Sequence, residues 1–255
     1  MATKVKRARE RIDKRVLDLG LAESRTRAQA LILAGQVLVD ETVVDKPGSE
    51  VYVDAVVRLR GEPLPYVSRG GVKLAHALDH FAVDVRGLDA LDCGASTGGF
   101  TDCLLQRGVA RVVAVDVGYG QLAWKLREDP RVTCIERTNA RNLDPAVLPF
   151  VPNFAVCDVS FISATLVLPR LVAAVGVGHG IIILVKPQFE AGKDEVGKGG
   201  VVRDPAARQA AVDKVLAAAK HLGCEAVGVV ESPITGPAGN VEYLAYFRTG
   251  KPPSG

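Results

Sequence analysis

The sequence predicts an α/β chain: a doubly wound parallel sheet finished by a closing antiparallel strand pair, preceded by a small α+β domain. Three observations carry this. From Tyr66 onward, short apolar strand-like runs alternate with helical stretches, as in a parallel sheet covered by helices on both faces. The last two such runs, Glu225–Val230 and Val241–Phe247, are joined by a Pro/Gly loop with no helix between them, which makes them antiparallel. Residues 1–60 follow another rhythm, two short helices and several brief strands, and Gly61-Glu62-Pro63-Leu64-Pro65 then reads as a short stiff linker. The expected organisation is a domain over 1–60, a linker over 61–65 and a larger domain over 66–250.

In the head, Arg11–Leu19 reads as a helix with Ile12, Val16, Leu17 and Leu19 roughly on one face and Gly20 as its stop. Ser24 caps a second helix that runs through Ala28, Leu31 and Ile32 to Gly35. Val37–Val39 and Thr42–Val44 are strands around a turn at Asp40–Glu41, Lys46-Pro47-Gly48 is a loop, and Val51–Leu59 is extended. In the larger domain the strands are Ala90–Asp92, Arg111–Val115, Val132–Ile135, Phe154–Asp158 and Ile181–Lys186. The helices are Gly99–Arg107, Gln121–Glu128, Ile162–Val175 and Pro205–Leu222.

Apolar residues make up 48% of the chain and charged residues 24%, ordinary for a globular protein and too apolar for a disordered one. No uncharged apolar run nears the roughly 20 residues that cross a bilayer; Ile181–Val185 is strand-sized. The polar, basic start of the chain lacks the apolar stretch of a secretion signal. Cys93, Cys103, Cys134, Cys157 and Cys224 are scattered, without a C-x-x-C pair, which suits reduced thiols in a cytoplasm. His76, His80, His179 and His221 are equally scattered, so no metal site is expected. The net charge of +3 sits in residues 1–60, with 12 basic against 9 acidic side chains, while the remainder is neutral. A basic head on a neutral body suits a polyanion, although a solvated helix face would look the same.

The loop Asp92-Cys93-Gly94-Ala95-Ser96-Thr97-Gly98-Gly99 follows the first strand of the larger domain and opens a helix. Its small residues let a ligand approach the backbone, and the helix start offers free N–H groups. It fits D-x-G-x-x-x-G better than the dinucleotide G-x-G-x-x-G, because Asp92 stands where the first Gly belongs. An acid there suits a cationic amine and repels a pyrophosphate; its other role would be to cap the helix. Asp116 ends the next strand, placed for a ribose diol. Together these favour S-adenosyl-L-methionine over NAD. Gly192–Lys198 matches G-x-x-x-x-G-K, but Gly199 follows where a phosphate loop needs Ser or Thr, so Gly192–Gly200 is read as a mobile basic loop able to gate a site.

Polar residues gather at the expected carboxyl edge of the sheet: Asp158 and Lys186 at strand ends, and Glu242 early in the last strand. Lys73 lies just before the sheet begins. A lysine that terminates Ile-Ile-Ile-Leu-Val is unlike a surface charge; it serves chemistry or a buried pair with Asp158.

Two resemblances follow. Arg11-Ile12-Asp13, Gly20-Leu21-Ala22, Ser24-Arg25, Ala28, Ile32, Gly35, Val37, Val39 and Lys46-Pro47 resemble the ribosomal protein S-four-type RNA-binding fold. That likeness implies docking on structured RNA through phosphates, with Arg7, Arg11, Arg15, Arg25, Arg27 and Lys46 as contacts. Ser68–Lys73, Asp92–Phe100, Asp116–Leu122, Asp158–Ser163, Lys186–Glu190 and Gly239–Glu242 resemble the TlyA family, RNA 2′-O-methyltransferases whose FtsJ-like, Rossmann-like methyltransferase domain stands behind an S-four-type domain. Ser96-Thr97 departs from the Ala-Pro of the wider FtsJ pattern and agrees with the TlyA branch.

The resemblance implies a Lys-Asp-Lys-Glu tetrad on Lys73, Asp158, Lys186 and Glu242. It implies donor contacts from Asp92, Gly94, Ser96 and Gly98, from Asp116 at the ribose, and from Phe100 and Asn139 near the amine and adenine, with Phe100 equally suited to the core. A ribose hydroxyl attacks an activated methyl only as it loses its proton, and a lysine takes that proton only as a neutral amine. The expectation is Lys186 as base with Lys73 as a second cation nearby, and Asp158 and Glu242 as orienting groups, Asp158 standing clear of a strong pair with Lys186. The implied substrate is a cytidine ribose of ribosomal RNA, met in free RNA or ribosomal subunits by a cytoplasmic monomer that needs neither membrane nor metal. Rival expectations are an NAD-dependent oxidoreductase, a non-enzymatic ribosome-assembly factor and a hemolysin-like activity. A base methyltransferase is disfavoured, because Asp158-Val159-Ser160-Phe161 lacks the Asn/Asp-Pro-Pro-aromatic motif.

Overall fold

The structure, a computed structural model, describes residues 8–60, 65–236 and 238–250, apart from the Lys193 side chain. The chain divides into two compact units, Met1–Pro63 and Leu64–Gly255.

The smaller unit runs β1 (Arg9–Arg11), α1 (Ile12–Asp18), α2 (Arg25–Leu33), β2 (Val37–Val39), β3 (Thr42–Val43), β4 (Glu50–Tyr52) and β5 (Val57–Leu59). Strand β1 pairs antiparallel with β4, and β3-β2-β5 form a second small sheet. Both turn residues between β2 and β3 are left-handed, Asp40 at φ 48° and Glu41 at φ 68°, the conformation that matches the twist of a tight hairpin. Ser24 Oγ accepts from Arg27 N at 3.2 Å and caps α2. Ile12, Val16, Ala28, Ile32, Val37, Val51 and Val57 form the core between helices and strands. Two expectations need correction. Arg11 is the last residue of β1 and not the first of a helix, because its backbone pairs opposite Glu50. The stretch from Val51 to Leu59 is two strands, divided by a turn at Val53-Asp54.

The larger unit runs α3 (Gly70–His80), β6 (Asp89–Cys93), α4 (Gly99–Gln106), β7 (Arg111–Val115), α5 (Trp124–Arg127), β8 (Val132–Ile135), β9 (Phe154–Cys157), α6 (Ala164–Val175), β10 (Gly180–Val185), α7 (Pro187–Glu190), α8 (Pro205–His221), β11 (Cys224–Glu231) and β12 (Tyr243–Thr249). One seven-stranded sheet has the order β11-β12-β10-β9-β6-β7-β8, with β6 to β10 parallel and β12 reversed between β10 and β11. Successive residues of the central strands feed opposite cores. Ile181, Ile183 and Val185 pack with α6 and α8, whereas Ile182 and Leu184 pack with α3 and α4. A strand buried on both faces reads as an unbroken apolar run, which is why β10 stands out in the sequence.

Helix α3 was not anticipated; its double-glycine start hides an apolar face of Leu74, Ala77 and Leu78. Helix α5 is shorter than Gln121–Glu128, because Ala123 N donates to Thr97 O (3.1 Å) and ties the preceding residues to the loop after β6. The segment before α8 makes an antiparallel bridge, Gly197 with Val201. Buried Asn240 holds it there, donating to Gly200 O (2.8 Å) and accepting from Val202 N (3.0 Å).

Candidate active site

The chain leaves β6 toward β7 on one side of the sheet and later returns to β9 on the other. Ligands in open α/β sheets bind beyond the strand carboxyl ends at such a reversal. A cavity of about 540 Å³ lies there, lined by Gly94 and Ser96 after β6, Asp116 and Gln121 after β7, Thr138 to Arg141 after β8 and Asp158 to Ile162 after β9. Its volume is that of small-molecule sites, roughly 300–1,000 Å³.

The loop after β6 is folded tightly. Gly94 N and Ala95 N both donate to Val115 O, and Ser96 N donates to Asp116 Oδ2 at 2.7 Å. Asp116 Oδ1 accepts from Gly118 N, also at 2.7 Å. Each carboxylate oxygen so holds one N–H and keeps lone-pair capacity toward the cavity. Asn139 lines the cavity and caps the short turn Ala140–Asn142 through Arg141 N.

Of the expected donor contacts, Gly94, Ser96, Asp116 and Asn139 line this cavity and Asp92, Gly98 and Phe100 do not. Phe100 is 3% exposed in the core under α4. Gly98 is the left-handed N-cap of α4 at φ 97°, and a Cβ there would strike Leu126 and Leu122. Asp92 is fully buried in β6 and does not line the cavity; Thr101 Oγ1, in the first turn of α4, donates to its Oδ2 at 2.6 Å, and its Oδ1 has no hydrogen-bond partner. Burial pushes the Asp92 carboxyl up to about 7, with the Thr101 hydrogen bond opposing.

The four polar residues expected to act together form two ion pairs. Lys73 Nζ donates to Glu242 Oε2 at 2.5 Å, both side chains buried. Glu242 precedes β12 rather than lying within it. Lys186 Nζ stands 2.6 Å from Asp158 Oδ1, without hydrogen-bond alignment to that oxygen, and donates to Ser160 Oγ at 2.7 Å. The expectation that Asp158 stands clear of Lys186 is overturned: residues that follow the neighbouring strands β9 and β10 bring the two side chains together. Asp158 alone of the four lines the cavity. Sequence reasoning passed over Ser160 and Phe161. Phe161 is left-handed at φ 65°, 91% exposed, and its ring centroid lies 5.3 Å from that of Phe189. An aromatic residue just past the end of a buried strand was the available signal.

In the smaller unit, Arg11 and Arg25 converge on buried Asp13, Arg27 and Lys46 are exposed, and Arg15 turns toward Glu10 at 3.4 Å. Arg7 lies outside the described residues. Among the described residues no helix is long and apolar enough to cross a membrane, and no three His, Cys, Asp or Glu side chains are grouped to hold a metal.

A seven-stranded sheet with one reversed strand and a small-residue loop over a switch-point cavity defines a Rossmann-like methyltransferase domain. A Listeria monocytogenes structure described as a "putative S-adenosylmethionine dependent methyltransferase" shares this fold at 14% identity, with a TM-score of 0.51 over 72% of this chain and 99% of that one. The model of FtsJ-like methyltransferases matches residues 66–249, and that of the S4 domain matches residues 10–57. A Mycobacterium tuberculosis protein (strain H37Rv) named 16S/23S rRNA (cytidine-2′-O)-methyltransferase TlyA is 50% identical over 94% of this chain and 90% of its own. A Streptococcus thermophilus structure described as a "putative hemolysin" is 42% identical, with a TM-score of 0.75, covering 97% of this chain and 91% of that one. The chain belongs to the FtsJ-like methyltransferase family, in the TlyA branch that carries an S4 domain ahead of the catalytic one.

Proposed function

We infer that this protein is an S-adenosylmethionine-dependent 2′-O-methyltransferase that acts on cytidine ribose in ribosomal RNA, and so works in the cytoplasm beside ribosomes. One observation carries the reading: Asp158 both lines the switch-point cavity and stands 2.6 Å from Lys186, so a lysine that becomes a base on losing its ammonium proton adjoins the cavity. The name and 50% identity of the Mycobacterium tuberculosis relative support the substrate.

The residues present fit the methyl donor. The backbone at Gly94 packs so closely that a Cβ would lie 2.6 Å from Asp158 O, and two carboxylates and Asn139 supply acceptors on the walls. S-adenosylmethionine, when bound, supplies an electrophilic methyl on a sulfonium sulfur that takes up the bonding electron pair. Asp116 holds a ribose diol through the lone pairs it retains. Ser160 and Asp158, which line the cavity, hold Lys186 behind them. Paired with Asp158 the lysine is an ammonium, so it first releases one proton to solvent. The neutral Lys186 Nζ then takes the proton of the 2′-hydroxyl as the oxygen forms its bond to the methyl carbon, and Asp158 balances the ammonium that is restored. The family resemblance, and not a place on the cavity wall, assigns the buried pair Lys73–Glu242 to orienting the substrate ribose. Phe161, exposed beside Ser160, offers a flat face to a base.

The test is calorimetric titration with S-adenosylmethionine and with NAD, followed by transfer of labelled methyl to ribosomal subunits. Wild type is expected to bind only the former and to label the 2′-oxygen of cytidine. Lys186→Ala is expected to keep binding and to lose transfer by about 10²-fold or more. Binding without transfer by wild type would instead favour the assembly-factor reading, and near-normal turnover in Lys186→Ala would remove the base assignment.

A further inference from the structure

We propose that Glu190 is a positioning residue for methyl transfer: it locks the loop 158–163 to the loop 186–190, so that Asp158 and Ser160 meet Lys186. This rests on the function proposed above.

Glu190 ends the segment Lys186-Pro187-Gln188-Phe189-Glu190 and its side chain is 1% exposed. Carboxylates are seldom so buried without dedicated donors. Here the donors come from the other loop. Ala164 N donates to Oε1 at 2.6 Å and Ser163 Oγ to Oε2 at 2.5 Å. Lys214 of α8 steadies the arrangement from behind, donating to Glu190 O at 2.8 Å and standing 3.4 Å from Oε2.

Helix capping alone does not account for this. Ser163 already caps α6, with its Oγ accepting from Thr165 N at 3.2 Å. The carboxylate instead reaches across from the segment after β10 to the start of the helix that follows β9. The two loops are therefore tied twice, by Lys186 to Asp158 and Ser160, and by Glu190 to Ser163 and Ala164. Between the ties lies Phe161, in a left-handed conformation that a bulky residue keeps only where its surroundings impose it. Phe189 packs against its ring on the same side. Releasing the Glu190 tie lets the 158–163 loop relax and draws Asp158 and Ser160 off Lys186, while Asp116 and Asn139 stay in place on other loops.

The test compares full-length wild type, Glu190→Ala, Glu190→Gln and Ser163→Ala by methyl transfer to ribosomal subunits per folded molecule, with folding read from circular dichroism. Glu190→Ala is expected to lower kcat by about 100-fold, as for a misplacement on the order of 1 Å, with KM for S-adenosylmethionine raised by about tenfold at most, since Asp158 to Ile162 form one wall of the cavity while Asp116 and Asn139 stand on others. Glu190→Gln and Ser163→Ala are expected to fall between, and they carry the test if Glu190→Ala does not fold. Combined with Ser160→Ala, Glu190→Gln is expected to be less than additive, since both act on the same lysine contact. A kcat per folded molecule equal to wild type, or full additivity with Ser160→Ala, overturns the proposal. A wild type that transfers no methyl overturns the functional reading instead.

Discussion

Lys73 and Glu242 meet at 2.5 Å although 169 residues separate them in the chain. Both side chains are nearly inaccessible to water, so each charge depends on the other. Removing one partner of a buried pair typically costs about 3–5 kcal/mol, whereas replacing both by apolar groups is often close to neutral. Glu242→Ala is expected to lose about that much stability in urea. Lys73→Met/Glu242→Leu is expected to regain most of it without regaining methyl transfer. Trp124 is the chain's single tryptophan and lies in the larger unit, so its fluorescence follows that unit. A single variant as stable as wild type would mean that the pair contributes nothing.

Gly94 is left-handed at φ 84°, and a Cβ there would press on the Asp158 carbonyl oxygen. Gly178 is left-handed too, at φ 86°, with open space around it. Gly178→Ala is expected to cost only the backbone term, about 1–2 kcal/mol. Gly94→Ala is expected to cost more and to weaken S-adenosylmethionine binding at least about tenfold, because loops after β6 and β9 must part. Equal losses in the two variants, by denaturation and calorimetry, would show that the close approach has no bearing on the cavity.

Much of this was legible in the sequence, and the failures share a cause. Strands β9 and β10 declare themselves because both faces are buried and the runs are apolar throughout, and β7 does so after Arg111, whereas β6 shows only Ala90-Leu91 between Asp89 and Asp92. Strand β1, Arg9-Glu10-Arg11, carries no apolar signal; it exists through backbone pairing with a partner some 40 residues away. The tetrad residues were each found by motif, but their division into Lys73–Glu242 and Lys186–Asp158 depends on which strands become neighbours. The left-handed backbone of Phe161 and the reach of Glu190 to Ser163 are likewise tertiary facts that local pattern does not encode. Asp92 misled for the opposite reason: its motif is right for the fold, yet the carboxylate turns inward to Thr101.

That inward carboxylate makes stability depend on pH. Its folded value is raised to about 7 by burial, against about 3.9 in an unfolded chain. The folded state therefore holds the proton more tightly. The contribution is fully present below about pH 4 and is lost as pH rises toward 7, a swing of roughly 4 kcal/mol. Asp92→Asn, with no proton to lose, is expected to flatten the profile between about pH 4 and 7 and to gain stability relative to wild type above it. An unchanged slope in urea titrations across this window would contradict the placement of Asp92.

In the smaller unit, buried Asp13 gathers three side chains: Arg11 at 3.0 and 2.9 Å, Arg25 at 3.1 Å and Gln29 at 2.9 Å. The Arg11 hydrogen bonds, aided by Gln29 and Arg25, hold the Asp13 carboxyl well below the usual range, against the pull of burial. The stability it lends is present above about pH 4, the unfolded value, and fades as pH falls below that. One carboxylate shared by two guanidinium groups leaves a net positive charge, and both arginines remain about half exposed, at 50% and 56%. Such a fixed pair is preorganised for phosphates. Arg25→Ala is expected to weaken binding of ribosomal RNA across sequences and to make the slope of log K against log salt shallower by about 1. Arg11→Ala is expected to do the same, and the double variant to lose about 2 in slope. An unaltered slope with weakened binding would assign these arginines to holding the unit together around Asp13, with phosphate contacts made elsewhere.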